Sequence, residues 1–525
     1  MNCESNFHSI HVLDEQIGEH ERTLIKLKRA RNSLLNVSKL PPEVLGDIFR
    51  WMVIRSSDFG GLDRGSCNFL LVCHYWFEVA SRTPDLWDFW GNTLHQWCRW
   101  YPRSRTAPLD LVLVRDGCGD IVRFGDLYKA LKDRAANDTI RRVHLDASDA
   151  TIINSVLHPL TANCEELRSN SLESFVLWNG DRTRTVDASA FFARHLFPKL
   201  QRLDLKNCTV SLWDHLSSRT SALTTLALAF IPYSRTTTST PSTSQLLSIL
   251  SSNPALQRVD LSGRAVPNGG SGDSSRVRLH HLNELRLDGD FHHVFRLLNR
   301  LDHPRNMDIL SLILRGCDAV DISRIVGPYL RDCLQCRDRF QNGLNLSISG
   351  DPCFREHEIT FRAGNASGID FSTPSRGDPF ARITMFLNGR LSRDVLGRAA
   401  IGLIAYTPRE EVVHFRMSNR LAPRPDTYTQ FPNLRALSFD GTTLTAAFPN
   451  LNLVGDGKIF PSLEHVLLER IDADGAGWRP LVTFLAHRVS SGNRLDALVL
   501  SCCPFMSPEV KEGIRGMVRE LRIKN

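Results

Sequence analysis

A short pattern, apolar-x-x-apolar-x-apolar, returns along most of the chain and limits its fold more than any other feature. Clear copies are Leu200/Leu203/Leu205, Leu223/Leu226/Leu228, Leu256/Val259/Leu261 and Leu282/Leu285/Leu287. Ile309/Leu312/Leu314, Val412/Phe415/Met417, Leu434/Leu437/Phe439, Leu463/Val466/Leu468 and Leu495/Leu498/Leu500 continue it, with weaker copies at Leu172/Phe175/Leu177 and Leu344/Leu346/Ile348. Phe197-Pro198, Phe431-Pro432 and Phe460-Pro461 lead into several of them. Alternation over so short a run describes a strand with one buried face. Well-defined neighbours lie about 23 to 34 residues apart, and helical stretches such as Gln245 to Leu250 and Phe291 to Leu301 fall between copies. One strand-plus-helix unit cannot cover its own apolar side, so units stack and their strands form a parallel sheet. The expected fold is therefore α/β and solenoid-like, with the leucines inside and the intervening residues on a broad binding face. Gly350 to Arg409 shows the pattern poorly and reads as an insertion or a degenerate repeat.

Ahead of the repeats the period changes from two to that of a helix. From Ile10 a seam runs through Leu13, Ile17, His20, Leu24, Leu27, Arg31 and Leu34, as in an amphipathic or coiled-coil helix. Asp14, Glu15, Glu19 and Glu21 crowd its first half, and Lys26, Lys28, Arg29 and Arg31 its second. The basic run is the solvated end of a helix whose charge follows the macrodipole. The seam either packs back on the next module, which is the favoured reading, or pairs with a second copy. Leu40-Pro41-Pro42-Glu43 then signals a helix start, followed by Val44, Leu45, Ile48, Phe49 and Met52 on one face. Ser56 to Gly65 reads as a loop, and a second helix is expected to carry Phe69, Val72, Cys73, Trp76, Val79 and Ala80 on one stripe. Thr83, with Pro84 behind it, reads as the N-cap of a third short helix through Leu86 and Trp87. Leu94, Trp97, Cys98 and Tyr101 mark one more helix, and Pro108 to Leu113 a strand.

These helices resemble the F-box, in the form common in mushroom-type fungi. Leu40-Pro41-Pro42-Glu43-Val44-Leu45, Ile48-Phe49, Leu71-Val72-Cys73, Trp76, Val79-Ala80 and Thr83-Pro84-Asp85-Leu86-Trp87 carry the likeness. The resemblance implies a docking surface for the adaptor subunit of cullin–RING ubiquitin ligases. Matched residue by residue, that surface is Leu40, Pro41, Pro42, Val44, Leu45, Ile48 and Phe49, with Leu71, Val72, Cys73 and Trp76. The loop from Arg55 to Asn68 is longer than usual, and His74-Tyr75 replaces the usual basic residue. The repeats resemble the leucine-rich repeats that accompany many F-boxes, which implies that they hold a target protein. The expected organisation is an N-terminal helix over 1–37, an F-box-like domain over 38–90, a helical linker over 91–107 and a leucine-rich-repeat-like domain over 108–525. The competing expectation is a repeat scaffold for protein–protein interaction with no ligase role.

Composition narrows the function classes. A net charge of +7, with both signs interspersed, gives no basic patch or arm of the kind nucleic-acid binding needs. No run approaches a membrane span, and residues 1–16 contain no secretory core, so 13 scattered cysteines read as reduced thiols in the cytoplasm or nucleus. The sequons at Asn36 and Asn365 are then chance matches. Cys333-Leu-Gln-Cys336 has no second pair near enough to complete a zinc site. His280-His281 and His292-His293 lack metal spacing, Gly117-Cys118-Gly119 is too short for a dinucleotide loop, and Cys502-Cys503 flank a strand. There is no phosphate loop and no nucleophile elbow. The expectation is a non-catalytic adaptor without cofactor or metal. Thr236 to Ser244 and Pro267 to Ser275 read as surface loops. Ser507-Pro508 starts a last helix whose apolar face runs from Val510 through Ile514, Met517 and Val518 to Leu521 and caps the solenoid.

Overall fold

The computed structural model describes residues 3–57, 64–86, 89–90, 108–113, 140–161, 171–181, 184, 186–194, 196–211, 213–230, 240–267, 276–304, 307–315, 322–334, 344–351, 356–363, 382–388, 412–418, 431–441, 460–471, 475–503 and 506–524. The chain is mixed α/β and divides into two compact units, the first ending at Leu223 and the second beginning at Thr224.

The first unit opens with helix α1 (Cys3–Ser33), a short turn at Asn36–Lys39, and α2 (Pro42–Ser57). A 3-10 segment (Arg64–Leu71) and α3 (His74–Arg82) come next, then a turn at Pro84–Leu86. The expected second helix is thus two pieces. Cys73 is fully extended, so the chain breaks between Phe69 and Trp76, and Val72 is exposed instead of sharing their stripe. Arg64 and Gly65 belong to the 3-10 segment instead of the expected loop. Thr83 is not a side-chain N-cap; its hydroxyl turns back and donates to the Val79 carbonyl at 2.8 Å, closing α3. Trp87 and the helix expected around Trp97 lie outside the described residues.

The strands of this unit are β1 (Phe89–Trp90), β2 (Leu109–Leu113) and β3 (Ile140–Ala147), then, after α4 (Ala150–Thr161), β4 (Ser174–Asn179). β5 (Val186–Asp187), α5 (Ser189–Arg194), β6 (Arg202–Lys206), β7 (Cys208–Thr209) and α6 (Trp213–Arg219) complete it. β1, β2, β3, β4 and β6 pair in that order, all parallel. Val143, Phe175 and Leu203 share one rung and Leu145, Leu177 and Leu205 the next, all buried. Ile140/Val143/Leu145 is thus a further copy of the pattern, unrecognised because charged residues fill its variable positions. Phe175 stacks on Phe191 of α5, which stacks in turn on Phe197 of the Phe-Pro lead-in, so this lead-in ring closes the layer beneath a strand.

The second unit holds a large, mostly parallel sheet. Its elements begin β8 (Thr225–Phe230), α7 (Thr243–Ser252), β9 (Arg258–Gly263), β10 (Val277–Arg278), β11 (Glu284–Asp290), α8 (Phe291–Leu298), β12 (Leu301–Asp302), β13 (Ile309–Arg315) and α9 (Gly327–Leu334). Leu226, Val259, Leu285 and Leu310 align across β8, β9, β11 and β13, and Leu228, Leu261, Leu287 and Leu312 form the next row. This register corrects one copy of the pattern: Met307, not Ile309, takes the place of Leu282, and Leu310 and Leu312 are its inward residues. Helix starts reflect their chemistry. Ser242 and Gln245 form a capping box on α7, so the end of the Ser/Thr tract is a helix start and not a loop, and Asp290 accepts from His292 N at α8.

β14 (Leu344–Asp351), β15 (Glu356–Ala363), β16 (Arg382–Asn388) and β17 (Val412–Ser418) interrupt the regular order. β16 pairs with β13 and β14 with β17, both parallel, while β15 lies antiparallel between β14 and β16. The poorly repeating stretch therefore inserts a reversed strand into the sheet. Beyond it, β18 (Ala436–Asp440), β19 (His465–Glu469), α10 (Arg479–Ser490), β20 (Ala497–Ser501), α11 (Pro508–Met517) and β21 (Glu520–Lys524) restore parallel pairing. Ser507 caps α11, accepting from Val510 N, but the helix stops at Met517. Leu521 pairs with Leu498 in a strand, so the last segment is one more repeat-like unit and not a helical lid.

Strand exits share a geometry. Asn207, Gly441, Arg470 and Cys502 come directly after a strand and lie in the left-handed region, as does Gly263 at the end of β9. One residue further on, the thiols of Cys208 and Cys503 turn inward. Cys208 Sγ donates to the carbonyls of Lys206 (3.1 Å) and Leu177 (3.5 Å), and Cys503 Sγ to those of Ser501 (3.3 Å) and Leu468 (3.4 Å). Burial pushes both thiols up, so they are neutral donors that tie each strand's exit to the preceding strand, β6 to β4 and β20 to β19.

Candidate functional site

The helical module of the first unit has a core of its own. Leu45, Phe49, Phe69, Val79, Ala80 and Leu86 are buried together, with Leu40, Leu70, Tyr75 and Trp76 packed around them. Phe49 stacks on Phe69 at 4.6 Å and meets Trp76 at 5.1 Å, and Tyr75 Oη donates to the Leu40 carbonyl at 2.8 Å. Gly46 lets α2 approach the end of α3, because a Cβ there would sit 3.3 Å from Thr83 Oγ1.

This core divides the residues expected to meet an adaptor. Leu45 and Phe49 are wholly inside and hold the module together, so neither can contact a partner while it stays folded. Leu40, Cys73 and Trp76 are half-buried. Pro41, Pro42, Val44 and Ile48 are exposed along α2 and its lead-in, and Leu71 and Val72 stand out at 84% and 56% exposure. Trp51 and Met52 extend the α2 stripe by one turn, and Phe77 is a further exposed apolar side chain; of these, spacing along the sequence places only Met52 on the α2 face. An apolar stripe thus stays at the surface of a module that has closed its own core.

A second surface lies on the outward face of β3, β4 and β6, built from the variable positions between buried leucines. Trp178 Nε1 donates to Asp204 Oδ1 at 2.8 Å, and Arg202 Nη2 reaches the other carboxylate oxygen at 3.3 Å. Lys206 Nζ stands 5.8 Å from the Trp178 ring centroid, and His144 packs its edge on that ring at 5.6 Å. A half-buried tryptophan held by a carboxylate and flanked by cations is the kind of rigid anchor that dominates protein recognition. The sequence held a signal for it, an aromatic residue at an outward position between buried apolar ones, but no single copy sets such a residue apart.

His144 adds a pH response. Burial, and then Arg202, hold its imidazole below the ordinary 6.5, against weaker opposing effects of Asp146 and Asp204. The unfolded chain therefore takes up this proton first, so the contribution of neutral His144 is fully present above 6.5 and is lost as the pH falls from there through the lower value of the folded state. Between pH 7 and 5 the first unit should lose stability with a slope of at most about 1.4 kcal/mol per pH unit for one proton. His144→Phe, which keeps the ring edge on Trp178, should flatten that difference in paired urea titrations.

The second unit fixes its outward charges by pairing across strands. Arg315 Nη2 meets Asp288 at 2.7 Å, Arg258 bridges to Glu284 at 3.4 Å, and Arg416 Nη2 reaches Glu469 at 2.9 Å. Arg470 grips the buried carboxylate of Asp440 in a fork, which raises the Arg470 pKa. Among the described residues no three metal-ligating side chains converge, and no helix is long and apolar enough to cross a membrane. Cys333 lies on α9, and Cys336 is outside the described residues. No protein-family model matches the chain, and no curated protein matches it in sequence.

Proposed function

We propose that the chain is the target-binding subunit of a cullin–RING ubiquitin ligase of the SCF type, with the module over 38–90 acting as an F-box. The observation that carries this reading is the exposed apolar stripe of Pro41, Val44 and Ile48 beside a core that no longer needs them. The strand-plus-helix units act as leucine-rich repeats, and their outward faces hold the target protein. Cys208 and Cys503 support this assignment, since each stands at the Asn/Cys position of the repeat consensus and hydrogen-bonds the preceding strand. The chain supplies no reacting group. It works by proximity, holding a target lysine near the charged ubiquitin carrier and so raising its effective concentration.

The test is titration of purified adaptor onto the full chain. Wild type binds, and Val44→Asp with Ile48→Asp lowers affinity at least about 100-fold, because each places a charge in an apolar contact. Both positions are exposed, at 44% and 40%, so the pair leaves the thermal unfolding of the chain unchanged. An adaptor that ignores the wild-type chain overturns the proposal and leaves a repeat scaffold that acts through the Trp178 face alone.

A further inference from the structure

The expected packing of the N-terminal helix on the module does not occur. Every apolar residue of its seam is at least half exposed, from Leu24 at 51% and Ile10 at 54% to Leu27 at 64% and Leu34 at 77%. A side-chain bond ties the helix to the turn at Asn36–Lys39, at its C-terminal end, where Ser38 Oγ donates to the Asn32 carbonyl at 2.8 Å. From Ile10 to Leu34 the helix presents to solvent an apolar seam broken by His20 and Arg31, with acidic residues clustered in one half and basic residues in the other.

We propose that α1 pairs with α1 of a second copy of this chain, and that the two run antiparallel. Charge decides the direction. A parallel, in-register pair would set Asp14 to Glu21 against the same acidic run, the basic run against itself, and His20 and Arg31 each against its own kind in the seam. Reversing one helix removes these clashes except at the centre, where Glu21 meets its own copy. Centred near Arg22, the antiparallel register sets Ile10 opposite Leu34, Leu13 opposite Arg31, Ile17 opposite Leu27 and His20 opposite Leu24. Each apolar residue of one seam position then meets the complementary position of the other copy, as knobs-into-holes packing requires. The acidic half of each helix lies beside the basic half of the other, and Asp14 faces Lys28 across the seam's edge. Arg31 covers Leu13 with its aliphatic stem while its guanidinium stays in water. Pairing would cover on the order of 1,000 Å² of surface, the lower bound of a specific interface, and the two polar breaks in the seam weaken it, so we expect a weak dimer.

This inference stands apart from the ligase reading, since it needs neither the adaptor nor a target. The experiment is sedimentation equilibrium of the full chain from about 0.5 to 50 µM, a range that brackets a micromolar dissociation constant. A monomer–dimer equilibrium is expected, weakening several-fold when salt rises from about 50 to 500 mM, because opposite charges flank the seam. Ile17→Asp with Leu24→Asp should weaken the dimer at least about 50-fold, through charges placed in the seam, and leave the unfolding of both units unchanged. A monomer at every concentration, or a dimer indifferent to the double variant, overturns the proposal. A dimer that tightens with salt overturns the antiparallel arrangement.

Discussion

Phe49→Ala should unfold the helical module and leave the strands of both units in place. Phe49 is completely buried, stacked on Phe69 and tilted against Trp76, and it is the ring that joins α2 to the 3-10 segment and to α3. Removing so large a buried ring costs about 3–5 kcal/mol, through lost burial and the cavity left behind. A core this small has little more than that to lose, since modules of this size retain only a few kcal/mol of net stability. The expected readout is loss of amide protection across α2 and α3, with protection of the strands unchanged. Val44→Asp is the contrasting variant, because it lies on the same helix with its side chain in solvent. If Phe49→Ala keeps its protection in α2, the module is held by something other than this core.

The same division explains what the sequence made legible. Its apolar spacing marked α2 and α3, but spacing alone does not separate a helix face that closes a local core from one that waits for a partner. Leu45 and Ile48 sit three residues apart and read alike, yet one is fully buried and the other 40% exposed. What distinguishes them is the position of Phe69 and Trp76, which the chain supplies from beyond a loop. The seam of α1 was equally clear in its spacing, and its helix formed as expected. Where that seam would pack was not legible, because packing depends on what lies opposite.

The strands of the sheet show the reverse case. Leucines at fixed spacing located β6, β8, β9, β11, β18, β19 and β20, because a strand with one buried face writes its alternation directly into sequence. Copies were missed at Ile140/Val143/Leu145 and at Val518/Leu521/Ile523, where charged neighbours hid the alternation or a preceding helix seemed to continue. The register at Met307/Leu310/Leu312 was misread because Ile309 and Ile313 put apolar residues on both faces of β13. β15 and β16 were overlooked although His357/Ile359/Phe361 and Ile383/Met385/Leu387 alternate. β15 lacks the pattern's apolar lead-in ahead of Ile359 and Phe361, and a strand that runs antiparallel has no need of it, whereas β16, parallel to β13, has one in Phe380 that went unread within an irregular stretch.

Arg488→Met should destabilise the second unit by about 2–4 kcal/mol, although it puts an apolar side chain of similar length into a buried place. Arg488 is 6% exposed on α10, and its guanidinium ties the helix to the entry of β19. Nη1 donates to the Phe460 carbonyl at 2.9 Å and Nη2 to that of Leu463 at 2.8 Å. Phe460 is held in the left-handed region, so this Phe-Pro lead-in is bent as well as buried, and its carbonyls have nowhere to find water. Burial lowers the arginine pKa to about 10, which still leaves the group a cation at neutral pH. Methionine would remove that buried charge and its unpartnered Nε, a gain, but would strip the charged donor from the Leu463 carbonyl and from the Phe460 carbonyl, which keeps the Leu463 N–H, a larger loss. Arg488→Lys should recover part of the difference, since an ammonium donates but lacks the fork that spans both acceptors. Urea unfolding combined with amide protection across α10, β19 and β20 reads the result. A methionine variant as stable as wild type would mean that desolvating the guanidinium costs as much as its two hydrogen bonds return, and the lead-in would then owe its bend to Phe460 and Pro461 alone.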